Sequence, residues 1–80
     1  MGKMNLATSV YGKIGHMYSE IGEAYVLLDN GKVEDARDKV TTSHNNFRAL
    51  SIGENIDPRI RGCIDRSVVE FYNEARRVSR

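Results

Sequence analysis

The stretch from Val10 to Asn30 consists of three consecutive repeats of a seven-residue pattern, and it limits the possible folds more than any other part of the chain. An α-helix turns by about 100° per residue, so residues spaced alternately three and four apart share one side of it. One such set is apolar and consists of Ala7, Val10, Ile14, Met17, Ile21, Ala24 and Leu28. This spacing predicts a helix that buries one side along its whole length.

Nearly opposite the apolar row, the same stretch carries a row of small residues: Thr8, Gly12, Gly15, Ser19 and Gly22. A glycine inside a helix costs about 0.8–1 kcal/mol relative to alanine, so close contact with another backbone is the expected compensation. Three occupants fit such a face: the chain's own third helix, a second copy of the protein, or a ligand. We predict an oligomer interface at Gly12, Gly15, Ser19 and Gly22.

The remaining sequence predicts two further helices and an all-α fold. We expect helices over about residues 5–29, 32–50 and 58–79 in a single domain of residues 1–80. The second and third helices each carry one apolar row, with Val33, Ala36, Val40, Ser43, Phe47 and Leu50 on the second and Ile60, Ile64, Val68, Phe71, Ala75 and Val78 on the third. The prediction is a three-helix bundle built on an antiparallel αα-hairpin that self-associates through helix 1.

Helix boundaries are marked by local residue types. Asn5 or Thr8 can cap the first helix, and Asn30-Gly31 supplies the left-handed conformation that ends it. Asp57-Pro58 places an N-cap carboxylate before a proline in the first turn of the third helix. The run Thr41–Asn46 consists of weak helix formers, so the sequence allows a kink or an early break there and does not decide whether the second helix is continuous.

Residues around the first turn resemble the helix-turn-helix core of a tetratricopeptide unit. The resemblance covers about twenty residues and rests on Ile21-Gly22, Ala24-Tyr25, Gly31-Lys32-Val33-Glu34-Asp35-Ala36 and Val40. The chain departs from that pattern by two extra residues before Gly31, by the lack of a closing proline and by the lack of a second unit. Because a repeat fold needs several stacked units, the resemblance implies an αα-hairpin rather than membership of that family.

Length, charge and cysteine content narrow the function classes. With 80 residues, 40% of them hydrophobic and no tryptophan, the core is thin for a monomer, which favours burial against a partner. Twelve basic residues nearly balance eleven acidic ones, which argues against nucleic-acid binding as the main task. The single cysteine, Cys63, is expected to be a buried thiol in a reducing compartment, which predicts a cytoplasmic protein. No apolar run is long enough to predict a membrane span.

Two rows of side chains are candidate binding residues. Tyr11, Tyr18 and Tyr25 recur every seven residues and can stack on a flat ligand, or they can flank the buried row with their hydroxyls in water. Arg59 and Arg66 recur on helix 3 and can hold phosphate or carboxylate groups, or they can belong to a solvated face.

No catalytic or metal-binding signature accompanies these rows. His16 and His44 lack further ligands at a recognised spacing, and no base is nominated for Cys63. We therefore predict no catalytic residue, no metal and no cofactor. The leading hypothesis is a small non-enzymatic homo-oligomer that binds a partner protein, as adaptors, inhibitors and small accessory proteins of viruses and mobile elements do.

Two alternatives stay open. In the first, the oligomer sequesters a small ligand such as a nucleotide at its subunit interfaces, with tyrosines stacking on the ligand and arginines holding its anionic groups. In the second, helix 3 binds RNA or DNA, and a steep fall of affinity with salt would single that function out.

Overall fold

The computed structural model describes residues 9–53 and 55–79, and within these ranges it contains three α-helices packed against one another and no strand. Helix α1 spans Val10–Asp29, α2 spans Val33–Leu50 and α3 spans Pro58–Val78. The prediction of an all-α three-helix bundle is confirmed. None of the helices in the described ranges combines the length and the apolar character needed to cross a membrane.

Helix α1 begins after Ser9, whose two oxygens accept hydrogen bonds from backbone donors of the first turn. The Ser9 Oγ accepts a hydrogen bond from the Gly12 N–H at 2.8 Å, and the Ser9 carbonyl accepts one from the Lys13 N–H at 3.0 Å. Serine is a preferred N-cap because its oxygen pairs with an amide that the helix leaves open. The predicted start near residue 5, with Asn5 or Thr8 as the cap, lies outside the described residues; the cap of the described helix is Ser9.

The turn between α1 and α2 follows the prediction for Asn30-Gly31. Asn30 is the C-cap, and Gly31 has a φ of 79°, a left-handed conformation that costs glycine little. The Lys32 N–H donates to the Leu27 carbonyl at 2.9 Å, and the Gly31 N–H donates to the Leu28 carbonyl at 3.0 Å. These two bonds satisfy the last carbonyls of α1 and turn the chain sharply into α2.

Helix α2 is continuous through Thr41–Asn46, without the break that its weak helix formers allow. Three residues on its inner side, Val40, Ser43 and Phe47, are buried, and the Ser43 Oγ donates a hydrogen bond to Glu20 Oε1 of α1 at 2.8 Å. Helix propensities differ by up to about 0.7 kcal/mol per ordinary residue. Burial and cross-helix bonding outweigh such differences, because tertiary packing supplies most helical stability in proteins.

Helix α3 starts as predicted and ends one residue earlier. The Asp57 Oδ1 accepts a hydrogen bond from the Arg59 N–H at 2.8 Å, and Pro58 takes the first helical position. At the other end, Val78 is the last helical residue and is exposed. The expectation that Val78 belongs to the inner row is therefore wrong, since the row ends at Ala75.

The core joins the three predicted apolar rows. Its buried members are Met17, Ile21, Ala24, Ala36, Val40, Phe47, Ile56, Ile64, Val68, Phe71 and Ala75. Partly buried residues that pack against them include Val10, Ile14, Leu28, Val33 and Ile60. Ala7 and the side chain of Leu50 lie outside the described part of the chain, and Ile56 is a core residue that comes from the loop before α3 rather than from a helix.

Contacts between α1 and α2 show that the two helices run in opposite directions. Glu20 accepts from Ser43, whereas Glu23, further along α1, pairs with Lys39, which comes earlier in α2.

The same reasoning applies to α2 and α3. His44 contacts Asp65 at 3.1 Å, and the earlier Thr41 shares a hydrogen bond with the later Tyr72. Helix α3 is therefore antiparallel to α2 and runs in the same direction as α1. With α2 and α3 both packed on its inner side, α1 keeps an outer side that neither helix covers.

Candidate functional site

The small-residue row of α1 lies on this outer side. Gly15, Ser19 and Gly22 are exposed and Gly12 is partly buried. A Cβ built on Gly15 or Gly22 meets no atom within 4 Å beyond its chain neighbours and the backbone of its own helix. The alternative that the chain's own third helix occupies this face is therefore wrong. A second copy and a ligand remain as occupants.

Val26 extends the small-residue row by one position. It follows Gly22 by four residues, which continues the alternating spacing of three and four, and it is 59% exposed. Val26 is not a small residue and so falls outside the predicted small-residue row, although its spacing fits that row. The outer face of α1 is formed by this complete row: Gly12, Gly15, Ser19, Gly22 and Val26.

The tyrosine row runs along the border between the outer face and α3. Tyr11, Tyr18 and Tyr25 are 79%, 40% and 39% exposed, so their rings become less accessible toward the end of α1. Tyr25 packs edge-on against Phe71 of α3, with ring centroids 5.2 Å apart and planes at 75°. The row therefore combines core packing at Tyr25 with an exposed ring at Tyr11.

The charged groups that act on Tyr25 are carboxylates. Burial is the largest cause that raises the pKa of the Tyr25 hydroxyl, and the negative charges of Glu70 and Glu74 raise it further. Arg59 and Arg66 are exposed and lie on the side of α3 away from the core. No hydrogen bond joins either arginine to a tyrosine within residues 9–53 and 55–79, so the structure does not bring the two predicted rows together.

Arg59 is engaged at the start of its own helix. Its Nη2 donates to Asp57 Oδ2 at 3.1 Å, and its backbone N–H donates to Asp57 Oδ1 at 2.8 Å. The side-chain bond, followed by the backbone bond, lowers the pKa of the Asp57 carboxyl. An anionic ligand at Arg59 would have to compete with this carboxylate.

A polar cluster joins α1 to α2 on the other border of the outer face. Ser43 donates to Glu20 at 2.8 Å, while the Lys39 Nζ lies 3.0 Å from Glu23 Oε1 and 3.5 Å from Glu20 Oε2. The hydrogen bond from Ser43 is the largest cause that lowers the pKa of Glu20, and the positive charges of Lys39 and His16 act in the same direction. The cluster fixes the register between the two helices.

An open groove of about 830 Å³ lies beside this cluster, between α1 and α2. Gly12, Gly15 and Ser19 of the outer face contribute to its lining, and Met17 and Phe47 add apolar surface. The groove is thus continuous with the outer face. Sequence reasoning missed it, because no pattern within one helix reports the register between two.

The histidines and the cysteine do not converge. His44 contacts Asp65, and His16 is exposed on α1. The described ranges contain no group of three or more histidine, cysteine or acidic side chains suited to a metal ion. Cys63 is exposed, so the expectation of a buried thiol is wrong. It directly precedes the buried Ile64, and one residue turns the helix by about 100°, away from the core.

Comparisons with protein-family models, with curated proteins and with solved structures find no match to this chain. The geometry of the described residues makes the outer face of α1 the candidate site, with tyrosines on one border and the polar cluster on the other.

Proposed function

We propose that the protein is a small non-enzymatic binding protein that self-associates through the outer face of α1 and acts on a partner protein as an adaptor or inhibitor. One observation carries the proposal: Gly15 and Gly22 lie open within a helix. Each glycine costs about 0.8–1 kcal/mol relative to alanine there, and no contact within the described residues returns that cost. A backbone from outside the chain can return it by close packing.

A second copy suits this face because the face is long and narrow. Gly12 and Val26 are separated by fourteen residues of one helix, which corresponds to about 21 Å at the rise of an α-helix. A facing helix covers such a strip along its whole length, whereas a small ligand covers only part of it. The same strip on two copies also gives a closed, self-complementary contact. In this proposal, the predicted αα-hairpin of α1 and α2 is the unit that carries this face.

The nucleotide-binding alternative draws less support from the geometry. The charged groups that act on Tyr25 are Glu70 and Glu74, which would repel phosphate groups placed against the ring. Arg59 is already paired with Asp57. Nucleic-acid binding through α3 gains no specific observation either.

Size-exclusion chromatography with light scattering tests the proposal. We expect the unmodified protein to form an oligomer at tens of micromolar, and Gly15→Leu or Gly22→Leu to lower its mass because the new side chain separates the backbones. Gly62→Leu is the matched control, because Gly62 is an exposed helical glycine with equally open space but lies on α3. A monomeric unmodified protein, or equal effects of all three variants, would contradict the proposal.

A further inference from the structure

We propose that the second copy docks antiparallel on the outer face, with Ser19 near the two-fold axis, Val26 against Gly12 of the other copy and His16 opposite Glu23. This inference rests on the proposed self-association and adds its orientation and register. Three features of α1 favour the antiparallel arrangement: the size gradient along the outer face, the charges on one border and the tyrosines on the other.

The first feature is the increase in side-chain size along the outer face. The outer face begins at Gly12, which has no side chain, and ends at Val26, an exposed branched side chain. A parallel pair would place Val26 against Val26 and Gly12 against Gly12, so the helices would be held apart at one end and leave a gap at the other. An antiparallel pair centred on Ser19 places each large residue against a small one. The helices then keep one separation along the whole contact, which close packing requires.

The border that carries His16 and Glu23 supports the same orientation. His16 and Glu23 are exposed and lie on the same border of the outer face, about 20° apart around the helix. The two-fold axis of an antiparallel helix pair lies perpendicular to the helices, so each border faces the same border of the other copy. With Ser19 at the centre, Glu23 comes level with residue 15 of the second copy, next to its His16. Glu23 also contacts Lys39, yet its side chain is 58% exposed and can accept a second partner.

The tyrosine border also favours the antiparallel orientation. In the antiparallel pair, Tyr18 approaches Tyr18 of the second copy, while Tyr11 approaches Tyr25. Aromatic rings gain from such offset or edge contacts, and Tyr11, the most exposed of the three, obtains a partner. A parallel pair has its axis along the helices and would instead place the tyrosines against His16 and Glu23. The antiparallel orientation therefore places tyrosines against tyrosines on one border and His16 beside the Glu23 carboxylate on the other.

Disulfide trapping tests the orientation, because a disulfide requires two Cα atoms about 4.4–6.8 Å apart. All variants carry Cys63→Ser, since the natural thiol is exposed. Gly12→Cys and Val26→Cys are prepared separately, oxidised alone and oxidised after mixing. We expect covalent dimer mainly in the mixture. His16→Cys and Glu23→Cys, tested in the same way, leave the outer face intact and should give the same pattern.

Covalent homodimers of each variant alone, without enrichment in the mixture, would overturn the antiparallel orientation. The absence of any covalent dimer from both pairs, in a protein that light scattering shows to be oligomeric, would also overturn it. A monomer by light scattering would contradict the proposed self-association and the orientation with it. Failure of the orientation and failure of the proposed self-association are thus distinguishable, because the protein remains an oligomer if only the orientation is wrong.

Discussion

Replacing Gly15 and Gly22 by alanine should stabilise the isolated chain and weaken its self-association. A Cβ at either position meets no atom within 4 Å beyond its own helix and neighbours, so the helix gains propensity without a clash. The gain is about 0.8–1 kcal/mol for each glycine, or roughly 1.6–2 kcal/mol for the double variant. For a domain of this size the melting temperature of the monomer should rise by roughly 6–16 °C.

In the oligomer, the same methyl groups would separate two backbones that otherwise pack closely. The melting temperature of the unmodified protein should therefore rise with protein concentration, because association stabilises the folded state, whereas that of the double variant should depend on concentration much less. Thermal unfolding across a range of concentrations measures both effects. Gly62→Ala is the control, and it should add stability without changing the concentration dependence.

The reasoning would be refuted by a double variant that melts below the unmodified protein at dilutions where both are monomeric. It would also be refuted if the double variant and the unmodified protein showed the same concentration dependence.

Three further variants test the bundle itself. Ser43→Ala should lower the free energy of unfolding by about 1 kcal/mol at neutral pH, because it removes the hydrogen bond to Glu20. The lowered pKa of Glu20 gives stability that is present above its ordinary value of 4.5 and is lost as pH falls through the lowered value. Denaturant titrations should therefore show a smaller difference between variant and unmodified protein in acid, and a difference that stays constant with pH would contradict this link. Asp57→Ala should lower the melting temperature by several degrees through loss of the helix cap, and no change would mean that α3 does not depend on this cap. Phe71→Leu should cost about 1–2 kcal/mol in urea titrations because its ring contacts both Tyr25 and Tyr72, whereas an equal cost for Val69→Ala, an exposed position, would contradict the assignment of the core.

Features of the fold could be predicted from sequence where they depend only on residues within one helix or its ends. The apolar row of Met17, Ile21 and Ala24, the left-handed Gly31 and the Asp57 cap each depend on spacing or residue type within a few positions, and each was predicted. The same holds for the position of the small-residue row, whose spacing placed it nearly opposite the apolar row. Its exposure did not follow from sequence, because the chain's own third helix was one of the three expected occupants.

Features that depend on contacts between helices were not predictable in this way. Ser43, within the weak stretch of α2, donates a hydrogen bond to Glu20 across the α1–α2 interface, and local propensity does not register such a contact. The carboxylates beside Tyr25 come from α3, and only the direction of α3 relative to α1 brings them there. The exposure of Cys63, by contrast, could have been predicted, because Ile64 belongs to the predicted inner row of α3 and one residue turns a helix by about 100°.

Native mass spectrometry of protein purified without denaturation tests the central claim most directly, because it reports the number of subunits and any retained small molecule in one spectrum. Self-association through the outer face of α1 predicts an even number of chains, with no added mass from a ligand, and a shift to the single chain for Gly15→Leu but not for Gly62→Leu. A single chain for the unmodified protein would contradict the claim, and so would an oligomer that Gly15→Leu leaves intact.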